Sequence, residues 1–224
     1  MIYSVLVKSS LFFGVSEKEI EKILENIPYH LQTYEKGETI LHLMENALNI
    51  GIVLEGKVQA QKLFPNGSQI NVSFRGPGDI IGAAAVFSNS QKYPCDIVAL
   101  EHVTIMMFHK EDILLLLQRN IKILNNFINN LGTSTYMLQQ RLELLSYSGI
   151  SQKIACYLLI QNRQTGQNKI QIPKSVSNWA MIMNVSRSSL HRELKKLEVN
   201  GILSYQPPFI EILDWEELET VLNN

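Results

Sequence analysis

Residues 176–197 read VSNWAMIMNVSRSSLHRELKKL, and this stretch decides how the chain is read. Its apolar positions recur at helical spacing, but a single helix does not accommodate them all. A first helix over 176–183 runs into Asn184-Val185, and a second opens at Ser186. Asn is one of the few non-glycine residues that enters left-handed backbone angles readily, as a tight turn between helices demands. Ala180 is small where two helices must cross closely, and Ser186 is a good N-cap. Trp179, Met183, Val185, Leu190, Leu194 and Leu197 supply a shared core. The second helix then presents Arg187, Ser188, His191, Arg192 and Lys195 outward, with Ser189 and Lys196 beside them. Arg makes bidentate bonds to guanine O6 and N7, and Ser and His are adaptable partners for base edges. Lys195 and Lys196 are placed for phosphates, which position a helix without specifying sequence. The pattern predicts a helix-turn-helix that reads double-stranded DNA. A solvated basic helix on an ordinary bundle is the competing reading, and it leaves the cap, the turn residue and Ala180 unexplained together.

Outward from this motif the pattern continues. Residues 202–205, a Gln206-Pro207-Pro208 turn and residues 209–213 form a hairpin-like wing, after which Asp214 caps a last helix reaching Leu222. Upstream, Ile154, Tyr157, Leu158 and Ile160 mark another helix, residues 169–172 a short strand, and Ser148-Gly149 a hinge. The formal net charge of the 224-residue chain is only -1. Within 150–200, however, Lys153, Arg163, Lys169, Lys174, Arg187, Arg192, Lys195 and Lys196 face only Glu193 and Glu198. A local field of that sign suits a polyanion.

Further upstream, Leu124, Ile128, Leu131, Thr135, Leu138, Leu142 and Leu145 alternate at spacings of four and three, a heptad seam interrupted by Thr135. A core helix packed on its own domain is one reading of this seam; a second copy of the chain is the other, and the length of the seam favours it. Gly132 lowers helix propensity within it. Residues 29–109 change character: 49–54, 57–63, 68–74 and 97–108 are short apolar or alternating runs separated by Glu55-Gly56, Pro65-Asn66-Gly67 and Pro77-Gly78-Asp79. That spacing predicts a jelly-roll barrel or sandwich. Before it, Ser16 and Glu19 form a capping box ahead of an amphipathic helix through Ile20, Ile23, Leu24 and Ile27, stopped by Pro28.

The remaining bulk features mainly exclude. Cys95 and Cys156 are far apart with no metal spacing, which argues against a zinc or iron–sulfur site and suits a reducing cytoplasm. The N-terminus has no secretory signal, and no run approaches the roughly 20 apolar residues that span a bilayer, so no membrane partner is expected. A jelly-roll metalloenzyme is the rival class. Its five histidines, His30, His42, His102, His109 and His191, contain no H-x-H pair, and His42 with Glu45 is a weak pair. No phosphate-binding loop or Ser/His/Asp spacing appears, so an enzyme is not expected.

Taken together, Pro77-Gly78-Asp79-Ile80-Ile81-Gly82, the SRSSLHREL run, and the order of β-roll, long helix and winged helix resemble the Crp/Fnr family of bacterial transcription regulators over essentially the whole chain. The resemblance implies an α+β chain. Residues 1–111 would be a cyclic-nucleotide-binding-like effector domain, 112–148 the linker and dimerisation helix, and 149–224 a winged helix-turn-helix. It also implies a cytoplasmic homodimer on DNA, RNA polymerase as a further partner, and base-reading roles for Arg187, Ser188 and Arg192, with His191 beside them.

The chain departs from the cAMP-binding members of that family. There, the glycine matching Gly82 is followed by a Glu for the ribose, but here by Ala83. The Arg for the cyclic phosphate falls near Pro94, its Ser/Thr neighbour at Cys95, and the adenine-contacting pair at Leu138-Gln139. A buried phosphate without a bidentate Arg loses its main charge-assisted bonds, so the expected effector is not cAMP. The N-terminal cysteines of the iron–sulfur sensors are also missing. Gly82, Ala83, Ala84, Tyr93, Pro94, Cys95, Leu131, Thr135 and Leu138 are the expected lining of an effector pocket. Its effector remains unidentified: an uncharged or aromatic-like metabolite, or thiol chemistry at Cys95. A cyclic-nucleotide-responsive regulator of the same family is the alternative.

Overall fold

The structure, a computed structural model, describes residues 2–63, 69–173 and 175–223. The Pro65-Asn66-Gly67 turn and Lys174 lie outside the described residues. By contact the chain divides into two compact units, residues 1–134 and 135–224.

The first unit opens with α1 (Ile2–Leu6) and α2 (Glu17–Leu24). The capping box that starts α2 is present: the Ser16 backbone N–H donates to Glu19 Oε2 at 2.9 Å, and the Glu19 N–H donates to Ser16 Oγ at 3.4 Å. The strands β1 (His30–Tyr34), β2 (Thr39–Leu41), β3 (Asn49–Glu55), β4 (Val58–Leu63), β5 (Gln69–Arg75) and β6 (Ile80–Ile81) come next. The short helix α3 (Ala83–Val86) then precedes β7 (Asp96–Ala99) and β8 (Val103–His109). Two antiparallel four-stranded sheets result, in the orders β1-β8-β3-β6 and β2-β7-β4-β5. The β1-β8-β3-β6 sheet is buried on both faces, Ile105 on one and Ile50, Ile52, Met106 and Phe108 on the other, within a core that also includes Val58.

The expected single strand over 97–108 is two strands. Exposed Glu101 and His102 interrupt the apolar run, and the chain passes there from one sheet to the other, β7 pairing with β4 and β8 with β3.

Two helices follow, α4 (Lys110–Arg119) and α5 (Ile121–Ser146). They are separated at Asn120, whose backbone is extended and whose Oδ1 accepts from the N–H groups of Lys122 and Ile123 at 3.0 and 3.1 Å. This side chain satisfies donors that the first turn of a helix otherwise leaves unpaired. The helix α5 begins within the first unit, where Ile123 and Phe127 are buried, and ends within the second, where Leu144 is buried.

The second unit continues with α6 (Ile150–Thr165), β9 (Lys169–Gln171), α7 (Val176–Ile182), α8 (Arg187–Val199), β10 (Leu203–Gln206), β11 (Phe209–Ile212) and α9 (Trp215–Asn223). Its three strands form an antiparallel sheet in the order β10-β11-β9. Fully buried Ile154, Leu158, Trp179, Met183, Leu190, Leu194 and Leu203 fill its core. Asp214 caps α9 as expected, its Oδ1 accepting from the Glu217 N–H at 3.0 Å. No helix among the described residues is long and apolar enough to cross a membrane.

Candidate nucleic-acid interface

The turn between α7 and α8 is built by residues that act locally. Asn184 has φ +53, the left-handed value expected of it. The Asn184 N–H donates to Met181 O at 3.1 Å and the Val185 N–H to Ala180 O at 3.0 Å, closing the end of α7. Ser186 then starts α8 with Oγ accepting from the Ser189 N–H at 3.0 Å. Trp179 is wholly buried against Tyr157, ring centroids 5.2 Å apart, and burial pushes the Tyr157 hydroxyl up to about 12.

With Leu190, Leu194 and Leu197 turned into the core, Arg187, Ser188, His191, Arg192, Lys195 and Lys196 are all exposed on α8. Ser189 is half-buried, and its hydroxyl bonds Ser186 Oγ at 2.8 Å as part of the cap. At the far end of the helix, Arg192, Lys195, Lys196, Val199 and Asn200 line a shallow depression of about 600 Å³.

Two carboxylates fix this helix to its surroundings. Glu193 accepts from Lys196 Nζ at 2.8 Å and from Ser151 Oγ on α6 at 2.9 Å. The Lys196 hydrogen bond, followed by that of Ser151, holds the Glu193 carboxyl below the usual range. Glu198 accepts from Lys195 Nζ at 2.8 Å and from the Tyr205 N–H on β10 at 3.0 Å, and is lowered for the same kind of reason, Lys195 first. These bonds join α8 to α6 and to the wing. Both lysines must therefore exchange an exposed carboxylate bond for any phosphate they meet, at small cost, because surface ion pairs are worth about 0–1 kcal/mol.

Lys153 differs from its place in the sequence-derived field. It is buried, and its Nζ donates to the Met183 carbonyl at 3.2 Å, at the C-terminal end of α7. A cation is favourable at that end of a helix, so this lysine supports the turn and adds nothing to the outward charge. No sequence signal separated it from the exposed lysines, because burial of its stem depends on partners distant in the chain.

In the first unit, the turn ahead of β6 is closed by Asp79 Oδ2, which accepts from the Gly76 N–H at 2.8 Å. Gly82 follows with φ +81, and a Cβ there would lie 2.7 Å from the Asn49 carbonyl oxygen. Tyr93 is buried and clamps the same residue: its hydroxyl donates to Asn49 O at 2.9 Å and accepts from Asn49 N–H at 3.1 Å. Of the expected pocket residues, Ala83 and Tyr93 are buried in the first core, Ala84 and Pro94 are exposed, and Cys95 is half-buried. Leu131 packs against that core, whereas Thr135 and Leu138 belong to the second unit and are exposed. Burial, then the neighbouring Asp96, pushes the Cys95 thiol up. The one cation between residues 82 and 95, Lys92, donates to Asn46 Oδ1 at 2.7 Å.

Along α5, Leu124 and Leu131 lean on the chain's own core, and Leu145 is half-buried. Ile128, Leu138 and Leu142 are 55%, 58% and 62% exposed, which is far from the usual burial of such residues within a single chain. Tyr136 and Met137, outside the heptad reading, are equally exposed.

The order of β-roll, long helix and winged helix-turn-helix places two domain families in one chain. The cyclic nucleotide-binding domain family matches residues 31–120, and the Crp-like helix-turn-helix domain family matches residues 152–221. The chain belongs to the Crp/Fnr family of transcription regulators. It is 24% identical to the cyclic AMP receptor protein of Thermus thermophilus over 213 residues, which is 95% of this chain and 96% of that one. It is likewise 24% identical over 194 residues to the nitrogen fixation regulation protein FixK of Bradyrhizobium diazoefficiens, covering 84% and 80% of the two chains. The crystal structure of the Thermus thermophilus catabolite activator protein shares the fold with a TM-score of 0.56 at 23% identity, over 96% of this chain and 99% of that one.

Proposed function

We propose that this regulator acts in the cytoplasm as a homodimer that reads a near-palindromic operator, gated by an effector other than cAMP. One observation carries the DNA-reading part: Arg187, Ser188, His191, Arg192, Lys195 and Lys196 stand exposed on one capped helix that follows a left-handed turn. In this reading Arg187 and Arg192 recognise bases, Ser188 and His191 assist, Ser189 holds the helix start, and Lys195 and Lys196 meet phosphates. Two chains pair through the outward apolar positions of α5, Ile128, Leu138 and Leu142. The two recognition helices then enter successive major grooves about 34 Å apart. Residues 1–111 sense, 112–148 couple and pair, and 149–224 read DNA. RNA polymerase is a further partner that the family relationship suggests.

The effector binds beside Gly82–Ala84 and Tyr93–Cys95, a segment of small and apolar side chains, and shifts the population between competent and incompetent arrangements. The raised Cys95 thiol favours a small uncharged ligand over thiol chemistry. A cAMP-responsive regulator is the second reading, favoured by the cyclic nucleotide-binding domain match. Against it stand Ala83, Pro94 and Cys95, which put no carboxylate, guanidinium or hydroxyl at the positions where the cAMP-binding members hold the ribose and the cyclic phosphate.

The test is selection of binding sites from a random duplex pool with purified, reduced, ligand-free protein at fixed salt, repeated with cAMP. A two-fold symmetric site recovered without ligand, and unchanged by cAMP, is the expected result. A site recovered only with cAMP would move the assignment to the second reading, and no site under either condition, with cell extract added, would overturn the DNA-reading assignment.

A further inference from the structure

We infer that His191 makes operator binding proton-coupled, so that affinity rises as pH falls through the neutral range. The inference rests on the DNA-reading assignment above. His191 is exposed on α8 between Arg187 and Lys195, each one helical turn away, with Arg192 adjacent. From β10, the ring of Tyr205 meets it edge-on, centroids 6.2 Å apart, and Glu198 is the carboxylate within electrostatic reach of its ring. Three cations thus flank the imidazole in the free protein, two of them paired with carboxylates: Arg192 lies 3.7 Å from Glu193 and Lys195 lies 2.8 Å from Glu198.

DNA changes that setting. Phosphates that engage Arg187, Arg192 and Lys195 neutralise the cations opposing the proton, and add negative charge close to the ring. An imidazolium donates from both ring nitrogens, whereas the neutral ring donates from one. It therefore serves phosphate oxygens or guanine acceptors better. Histidine is the side chain whose ordinary pKa, near 6.5, lies where this matters. Each subunit takes up at most one proton from solvent on binding, so where the ring is neutral in the free protein and charged in the complex a dimer's log affinity falls by at most about two per pH unit. The other histidines, His30, His42, His102 and His109, all lie in the first unit.

The experiment measures equilibrium binding of the full-length chain to its selected operator at pH 6, 7 and 8 and constant ionic strength, for the native protein, His191→Gln and His191→Lys. Circular dichroism confirms that each variant is folded, as expected for an exposed position. Native affinity should rise at least tenfold from pH 8 to pH 6, while both variants change less than twofold over the same range. A native protein with flat pH dependence, or a slope that survives in His191→Gln, overturns the inference alone. Failure of the native protein to bind any duplex at any pH overturns the DNA-reading assignment along with it.

Discussion

Replacing Ser186 separates what the start of α8 does for stability from what it does for DNA. The Ser186 Oγ accepts from the Ser189 N–H at 3.0 Å, satisfying one of the donors left open at the helix start. Loss of such a cap costs about 1 kcal/mol, within a range of roughly 0.5–2. For a unit of this size that is a fall of about 4–8 °C in melting temperature. Ser186→Ala should show this fall, and its first helical turn, which carries Arg187 and Ser188, should fray and weaken operator binding severalfold. Ser186→Asp keeps an acceptor and adds a charge that the helix N-terminus favours, so its stability should match the native protein. Its DNA binding should nonetheless collapse. One carboxylate near phosphate in a water-like medium costs about 1 kcal/mol per subunit, hence about 2 kcal/mol, or roughly 30-fold, for a dimer. Both tryptophans, Trp179 and Trp215, lie in the second unit, so denaturation followed by tryptophan emission reports that unit selectively. Operator affinity is measured in parallel by fluorescence anisotropy. A stable Ser186→Asp protein that binds DNA as tightly as the native one would refute the placement of this helix start against the phosphate backbone.

Three more outcomes are expected. Gly82→Ala, with φ +81 and a Cβ 2.7 Å from the Asn49 carbonyl that Tyr93 clamps, should destabilise the first unit by at least about 2 kcal/mol, since left-handed angles alone cost roughly 1–2; circular dichroism melting is the check, and a shift below about 2 °C contradicts it. Lys153→Met keeps the buried stem but removes the charged bond to the Met183 carbonyl, and should cost the second unit about 1–2 kcal/mol, net of the desolvation that the native ammonium suffers; a variant more stable than native in a urea titration would mean desolvation dominates. The depressed carboxyls of Glu193 and Glu198 contribute stability that is fully present above the ordinary glutamate pKa near 4.3 and is lost as pH falls through their lower native values. Tryptophan-reported stability of the native protein should therefore decline more steeply below pH 4 than that of Glu193→Gln, and parallel curves would remove Glu193 from the account.

What the sequence determined by itself was carried by neighbouring residues, although the local Asn120 cap that divides α4 from α5 was not read from it. The Ser16 and Ser186 caps, the left-handed Asn184 and the Asp214 cap each depend on a side chain and a backbone group at most a few positions apart, so their chemistry is written in order along the chain. The apolar periodicity of α8 likewise assigned Leu190, Leu194 and Leu197 to the core and left the cationic face outward, because one buried stripe fixes the other. Tertiary structure decided the rest. The strand β1 was illegible because its residues are almost all exposed and carry no inside–outside alternation; only pairing with β8, more than seventy positions later, makes it a strand. The α5 seam, interrupted in the sequence by Thr135, divides in the structure: Leu124 and Leu131 pack within their own chain while Ile128, Leu138 and Leu142 stand outside. A heptad gives spacing but cannot say which neighbour fills each position. Lys153 reads as one more surface cation until α6 folds beside the helix-turn-helix and buries it beneath the Met183 carbonyl. Burial is a property of the assembled core, and residues far apart in the chain determine it.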